Sequence, residues 1–303
     1  MLPVYPNFAQ VSLELRSQAH EVFLNTKSNI SALTFSNIYL FRNKYNFKVC
    51  FLENSFIVTG EENGKTFFSV LGEIPSQGLL EELLKKHDYW KNISEKQFED
   101  FGCKITTVQE DRNNFEYLYL RTELAELPGK NFQKKRNLVN AFAKIYIDAA
   151  EQKNLDKSTL KDALEILDKW KELKGLSGDY LPAKEALELH VELELNGLVF
   201  YINGNPVAYC QGEMLAGNEG FAVHFEKAID EYKGIYQYIN QEFAKSLPPS
   251  VIHINREQDL GDDGLRQAKM TYRPAGFVRL FSTANLNPSV SCYCGNVFIA
   301  SAG

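Results

Sequence analysis

The order of predicted elements constrains the fold of this chain most, because a similar order occurs twice. In the first half, alternating apolar runs broken by Asn and Gly predict an antiparallel meander over 47–74, and leucines at helical spacing predict a helix over 77–90. In the second half, a hairpin with a tight turn over 203–206 is followed by further strands and helices. Helix, hairpin, strand, helix and strand thus recur, although no residue-level repeat is visible. The order fits a duplicated α+β fold, and the length also allows one large domain.

Composition narrows the class of protein. The 303 residues are 44% hydrophobic and 13% aromatic, enough for a sizeable core. A net charge of −6 argues against a protein that coats nucleic acid. Residues 1–150 hold 18 acids and 18 bases, so the whole excess of acid falls in 151–303, and we expect an acidic cleft there. Scattered cysteines, with neither a secretory signal nor a long apolar run, favour the cytoplasm.

The most basic window of the chain is a predicted helix over 129–146. Its first part carries four cations and no acid, namely Lys130, Lys134, Lys135 and Arg136. Such a cluster could contact the phosphates of tRNA or an anionic lipid. It could equally be a solvated linker face that pairs with the acidic second half.

A glycine turn precedes the predicted helix that begins near residue 234. The start of a helix offers unpaired N–H groups to an anion, which makes the turn a candidate cofactor site formed by Lys233, Gly234, Ile235 and Tyr236. The alternative is a simple loop glycine with no ligand.

Five polar residues follow the apolar strand that ends near residue 254. Ligands of open α/β sheets commonly bind at the carboxyl ends of strands, so we expect substrate contacts from Asn255, Arg256, Glu257 and Asp259. The alternative is an internal polar network that ties the strand to the next helix.

Three segments make the chain recognisable: GKNFQKKRN, VHFEKAIDEYKGIYQYINQEFA and INREQDLGDDGLRQAKMTYRP. Together they resemble an uncharacterised bacterial family grouped with the C-terminal domain of phosphatidylglycerol lysyltransferases, over about 35–281. The resemblance implies an α+β protein of two tandem GNAT-like (acyl-CoA N-acyltransferase-like) domains, with mixed sheets flanked by helices. Fem-type aminoacyltransferases, which use aminoacyl-tRNA, share this arrangement. We expect an N-terminal domain over 1–128 and a C-terminal domain with the active site over 129–303.

The resemblance also implies roles for individual residues. LRQAKMTYRPAGF resembles the GNAT stretch whose tyrosine acts as a general acid, which places Tyr272 in that role, and Glu226 lies where a base for the acceptor is often found. Strand alternation would put His224 on the same face as Glu226, as a substrate contact or as a structural hydrogen-bonding group. At the pyrophosphate loop the chain departs from the GNAT pattern, because Glu231 and Tyr236 occupy positions that would disfavour coenzyme A.

The sequence therefore predicts an acyltransferase or aminoacyltransferase. The donor would be aminoacyl-tRNA or acyl-CoA, and the acceptor an amine or hydroxyl on a small molecule or lipid headgroup. No resident cofactor and no metal site are predicted. The alternative is an inactive GNAT-like protein that binds an amino acid, a nucleotide or a lipid headgroup.

Overall fold

The structure is a computed structural model that describes residues 3–26, 28–52, 55–73, 76–101, 108–174, 178–215, 217–229 and 231–283. Its α-helices are α1 Arg16–Thr26, α2 Phe35–Leu40, α3 Gln77–Lys86, α4 Glu95–Phe101, α5 Arg121–Glu126, α6 Gln133–Tyr146, α7 Leu160–Lys174, α8 Tyr180–Glu188, α9 Ile235–Ser246 and α10 Asp263–Met270. Short 3₁₀ helices span Leu13–Leu15, Ser31–Leu33, Arg112–Asn114 and Ile147–Ala149.

The strands of the described part range from two to ten residues in length. They are β1 Ala9–Gln10, β2 Lys48–Leu52, β3 Ser55–Glu62, β4 Lys65–Gly72, β5 Tyr89–Trp90, β6 Ile93–Ser94, β7 Val108–Glu110, β8 Glu116–Leu120, β9 Ala150–Asn154, β10 Asn196–Ile202, β11 Asn205–Met214, β12 Gly220–Ala228, β13 His253–Asn255, β14 Gly276–Val278 and β15 Leu280–Thr283.

These strands form three sheets, two of which mix parallel and antiparallel pairs. The N-terminal sheet has the order β1-β2-β3-β4-β5, and the large C-terminal sheet has the order β14-β8-β13-β12-β11-β10-β9. β4 pairs with β5 and β12 with β13 in parallel, whereas their other neighbours pair antiparallel. The predicted turn between β10 and β11 is confirmed: Asn203 and Gly204 both have positive φ, as a type I′ hairpin requires.

Each half contributes one strand to a sheet of the other. β8, from before residue 128, lies inside the C-terminal sheet between β13 and β14. β15, from the end of the described chain, pairs with β6 and β7 in a small sheet of the first half. The two halves therefore share strands across residue 128, and the predicted division into two domains at that residue stays a prediction.

Two large apolar cores hold the C-terminal sheet between layers. On one face, residues of β10 to β12 pack with α7, α8 and apolar residues of the first half in one continuous core. On the other face, residues of β8 and of β10 to β13 pack with α5, α6 and α9. A smaller core lies beneath α3 on the N-terminal sheet. Because one core contains residues of both halves, the elements that border a site between the halves are packed against each other.

The site lies where the parallel strands β12 and β13 separate. β12 and β13 pair only from Gly220↔His253 to Ala222↔Asn255. Beyond these pairs β12 continues to Ala228, while the chain after β13 turns away into a loop that leads to α10. The space between the two carboxyl ends is open to side chains of both strands.

Candidate functional site

A cavity of about 710 Å³ lies at this opening, between the two halves of the chain. The first half contributes α2 and part of the N-terminal sheet to its wall. The second half contributes β12, the loop after β13, the start of α9, α10 and one residue of α6. A volume of this size is typical of a site for a small molecule or for the end of a larger one.

Three predicted site residues from separate segments meet at the polar end of the cavity. Glu226 Oε1 accepts a hydrogen bond from Arg256 Nη2 at 3.0 Å, and both side chains are largely buried. The Arg256 guanidinium carbon lies 5.2 Å from the centroid of the Tyr272 ring. Burial, opposed by Arg256, raises the pKa of Tyr272 to about 12, so its hydroxyl stays protonated at neutral pH. The arrangement thus combines a carboxylate, a fixed cation and a phenol that can donate a hydrogen bond.

The four cations of the basic window do not act together. Lys130 and Lys134 are exposed, and Arg136 donates to the carbonyl oxygens of Leu127 and Gly129, which hold the loop before α6. Lys135 instead lines the cavity, with Nζ 3.9 Å from the centroid of the Tyr272 ring. Burial and the nearby Arg256 lower the pKa of Lys135 to about 8. One member of the window therefore belongs to the cavity.

His224 lies on a β-bulge, which corrects the expectation that it shares a face with Glu226. Val223 pairs with Gly212 and Phe225 pairs with Gln211, so His224 is the extra residue and the alternation resets after it. A Cβ at Gly212 would come within 1.8 Å of the Ala222 carbonyl oxygen, so the register needs glycine there. His224 consequently meets different partners from Glu226.

Two carboxylates hold the His224 ring. Its Nε2 lies 2.9 Å from Glu213 Oε1 and its Nδ1 lies 2.7 Å from Glu257 Oε1. Burial alone would lower the pKa of His224, but the hydrogen bonds to Glu213 and Glu257 outweigh it and raise the pKa to about 10. Asn37 of α2 also donates to Glu257 at 3.0 Å. His224 is thus an imidazolium that joins β11, β12, the loop after β13 and the first half.

Replacing His224 with glutamine is expected to remove a pH-dependent part of the stability. Because the pKa is 6.5 when unfolded and about 10 when folded, the stabilisation is complete below about pH 6.5 and is lost as pH rises through 10. Between these values the wild-type free energy of unfolding should fall relative to the variant by about 1.4 kcal/mol per pH unit, by roughly 3–5 kcal/mol in all. Urea unfolding of both proteins at pH 6, 8 and 10 measures this; parallel pH curves would contradict it.

Asn255 and Asp259 have internal partners and lie outside the cavity wall. Asn255 donates to Glu116 at 2.5 Å and to the carbonyl oxygen of Asn29 at 3.1 Å. Asp259 accepts from Arg112, Tyr117 and Arg266, and these bonds hold the pKa of its carboxyl well below the usual range against the opposing effect of burial. Both are fully buried. In the structure these two residues organise the loop, whereas Arg256 and Glu257 reach the cavity.

Two groups that the sequence analysis missed, one buried and one half-buried, hold the same loop. Glu116 of β8 accepts from the Ser31 and Ala32 amides and from the side chains of Asn255 and Gln258. Lys269 of α10 donates to the carbonyl oxygens of residues 256, 257 and 258 at 2.5–3.1 Å, and burial lowers its pKa to about 8. The one available signal was an acid within the apolar run FEYLYL.

The turn at Gly234 faces protein rather than the cavity. Gly234 has φ +90°, and a Cβ there would come within 2.4 Å of the Leu138 carbonyl oxygen in α6. The Ile235 amide donates to the carbonyl oxygen of Tyr232, and the Gln237 amide donates to the carbonyl oxygen of Gly234. Ile235 is buried and Lys233 is exposed, while Tyr236 lines the cavity. The glycine thus has a structural explanation, and cofactor binding at this turn stays a prediction.

The cavity wall is not acidic, in contrast to the expectation from the charge of the second half. Its charged lining comprises three acids (Asp179, Glu226, Glu257) and seven basic residues (Lys44, Lys91, Lys135, His224, Lys227, Arg256, Lys269). Much of the acidic excess of the second half lies on exposed helix and loop positions outside the cavity. Solvent and salt screen the repulsion between carboxylates there. In the described ranges, no cluster of three or more His, Cys, Asp or Glu side chains could hold a metal ion. No helix of the described chain is long and apolar enough to cross a bilayer.

Several solved structures share the fold of this chain. A conserved protein of unknown function from Bacteroides thetaiotaomicron is 27% identical, with a TM-score of 0.84 over 94% of this chain and 100% of that chain. L-PGS from Bacillus licheniformis is 12% identical, with a TM-score of 0.61 over 89% and 91%. FemX is 7% identical, with a TM-score of 0.53 over 93% and 98%. The predicted α+β fold of mixed sheets and helices, which FemX shares, is confirmed.

Sequence comparison assigns the family. A curated uncharacterised protein from Mycoplasmoides gallisepticum is 23% identical over 181 residues, which span 58% of each chain. The family described as phosphatidylglycerol lysyltransferase, C-terminal, matches residues 25–282. This match covers most of the sequence and includes every residue of the cavity wall. The chain therefore belongs to the phosphatidylglycerol lysyltransferase C-terminal family.

Proposed function

We propose that this chain transfers an aminoacyl or acyl group from an activated donor to an amine or hydroxyl acceptor inside the cavity. The observation that carries the proposal is the convergence of Glu226, Arg256 and Tyr272 at one end of a cavity large enough for both reacting groups. Family membership and the likeness to L-PGS and FemX agree with this class of reaction. The acceptor would be a small molecule or a lipid headgroup.

Each group has a role that its surroundings support. Glu226 uses Oε1 for Arg256, while among the described residues Oε2 has only a long contact of 3.4 Å from Asn240, so Oε2 can accept the proton of the attacking amine or hydroxyl. As the new bond to the carbonyl carbon forms, the bond to the donor oxygen or sulfur breaks. Tyr272 would give its proton to that leaving atom, and Arg256 would stabilise the negative charge that develops. Glu257 and His224 would line the acceptor side.

Aminoacyl-tRNA is the better supported donor. At Gly234 the backbone packs against α6, where a Cβ would come within 2.4 Å of the Leu138 carbonyl oxygen, and the Ile235 and Gln237 amides donate to backbone carbonyls. Coenzyme A would therefore have to bind in a different way from the GNAT pattern. The exposed Lys130 and Lys134 are candidate contacts for tRNA phosphates beside the cavity.

A transfer assay tests the proposal. Bulk tRNA charged with radiolabelled amino acids is incubated with the chain and either phosphatidylglycerol vesicles or a set of small amines, and a parallel reaction uses radiolabelled acetyl-CoA. We expect label to leave tRNA and appear in an acceptor product. Equal release by wild type and by a variant carrying both Glu226→Gln and Tyr272→Phe would contradict enzymatic transfer.

A binding protein without catalysis is the second candidate. It is favoured by the occupied Gly234 turn and by the Glu226–Arg256 ion pair, since both are complete without a ligand. Such a protein would sense an amino acid, a nucleotide or a lipid headgroup. It predicts that one of these raises the melting temperature, because a ligand that binds only the native state stabilises it, while every transfer reaction stays negative.

A further inference from the structure

Lys135 is a half-buried cation in the cavity wall. It extends from α6 to the Tyr272 ring, with Nζ 3.9 Å from the ring centroid, and Arg256 approaches the same ring from the loop after β13. Three elements thus bring two cations to one phenol. Lys135 has no hydrogen-bond or ion-pair partner in the part of the chain that the structure describes.

Most of the other cations of the cavity wall have an ion-pair or hydrogen-bond partner. Lys91 pairs with Glu62, Lys227 with Asp179, Arg256 with Glu226, and His224 with two carboxylates. Lys269 instead donates to three carbonyl oxygens. Counting Glu62 and Glu213 behind the wall, the lining still holds two more cations than acids when all are charged.

Lys135 and Arg256 also repel each other across the ring. This repulsion contributes, after burial, to the lowered pKa of Lys135 of about 8. An anion placed between the two cations would relieve it and would favour the charged lysine. Arg256 uses Nη2 for Glu226, which leaves other guanidinium N–H groups for an oxyanion.

We propose that Lys135 and Arg256, beside Tyr272, form a subsite for a phosphodiester group of a substrate. A phosphodiester suits this position because one of its two free oxygens can meet Lys135 while the other accepts from an N–H of Arg256 that Glu226 does not use. This inference rests on the proposed function for its role in the reaction. The subsite would hold the donor or acceptor with its reacting group near Tyr272.

Binding without turnover tests the subsite, by isothermal titration in phosphate-free buffer. The probes are cytidylyl-adenosine for a nucleic-acid end, glycerophosphoglycerol for a lipid headgroup, and acetate as a carboxylate; both phosphodiesters keep one charge from pH 7 to pH 9. At pH 7 we expect Lys135→Gln to weaken binding of one phosphodiester at least tenfold. The matched variant Lys144→Gln, which removes an exposed charge from the same helix, should change it less than twofold.

The pH dependence supplies a second readout. Wild-type affinity should fall several-fold between pH 7 and pH 9 as Lys135 loses its proton, and this fall should be clearly smaller in Lys135→Gln, where Lys269 still titrates in that range. Equal effects of the two lysine variants, or acetate binding as tightly as both phosphodiesters, would overturn the subsite. So would no phosphodiester binding to wild type at millimolar concentration. Because no donor is present, a negative transfer assay with intact phosphodiester binding would count against the proposed function alone.

Discussion

Replacing Tyr272 with phenylalanine is expected to slow transfer by about 100- to 10,000-fold, the range typical of a lost general acid. The substitution keeps the ring that packs against Tyr119 and beneath Lys135 and removes only the hydroxyl. With a pKa of about 12, that hydroxyl is protonated throughout the neutral range, so its removal takes away the proton donor at every pH in that range. Single-turnover transfer from labelled aminoacyl-tRNA measures the rate.

Tyr238→Phe is the matched control. Tyr238 is half-buried in α9 and stacks on Phe142 at 4.4 Å, but it does not line the cavity. Its loss of a hydroxyl should leave the rate within about twofold of wild type. If Tyr272→Phe transfers as fast as Tyr238→Phe while both unfold at the same temperature, Tyr272 is not the acid.

Replacing Glu116 with alanine is expected to lower the free energy of unfolding by about 3–5 kcal/mol, as removal of one member of a buried charged network does. Glu116 is fully buried, and its two oxygens accept four hydrogen bonds from groups that lie in both halves of the chain. Without it, the amides of Ser31 and Ala32 lose a partner in a space that offers no replacement. Equilibrium unfolding in urea measures the loss.

Glu151→Ala is the control for Glu116. Glu151 lies exposed on β9 of the same sheet, so its replacement should change stability by no more than about 0.5 kcal/mol. Glu116→Gln keeps the shape and one acceptor oxygen and should fall between the two. A Glu116→Ala variant as stable as Glu151→Ala would show that the network contributes nothing to the junction of the halves.

Local patterns in the sequence predicted the elements well, because their causes are local. Asn203-Gly204 adopts positive φ at little cost, and the leucines of α3 recur at helical spacing, so each pattern determines its own element. That Glu226, Arg256 and Tyr272 lie close together was predicted from the resemblance to a family whose fold brings their segments to one site. Spacing alone gives no distance between residues that are 30 or more positions apart.

The features that the sequence did not predict depend on partners far along the chain. The bulge at His224 depends on the pairing of β12 with β11, in which Val223 and Phe225 lie opposite the adjacent residues Gly212 and Gln211, so alternation within β12 alone predicted the wrong face. Similarly, the position of Lys135 depends on how α6 packs against the C-terminal sheet. The net charge of the second half wrongly predicted an acidic cleft, because it sums charges over the whole surface. The cavity is lined mainly by basic residues, which come from both halves. Such juxtapositions are properties of the tertiary structure.

The most direct test of transfer in this cavity is a crystal structure with a 3′-aminoacyl adenosine whose ester is replaced by an uncleavable amide. We predict that its carbonyl group lies in the cavity, within hydrogen-bond reach, about 2.6–3.2 Å, of Tyr272 Oη or an Arg256 nitrogen. The acceptor side of the carbonyl should face Glu226. An analogue bound outside the cavity, or bound inside with its carbonyl beyond the reach of all three side chains, would contradict the proposed function.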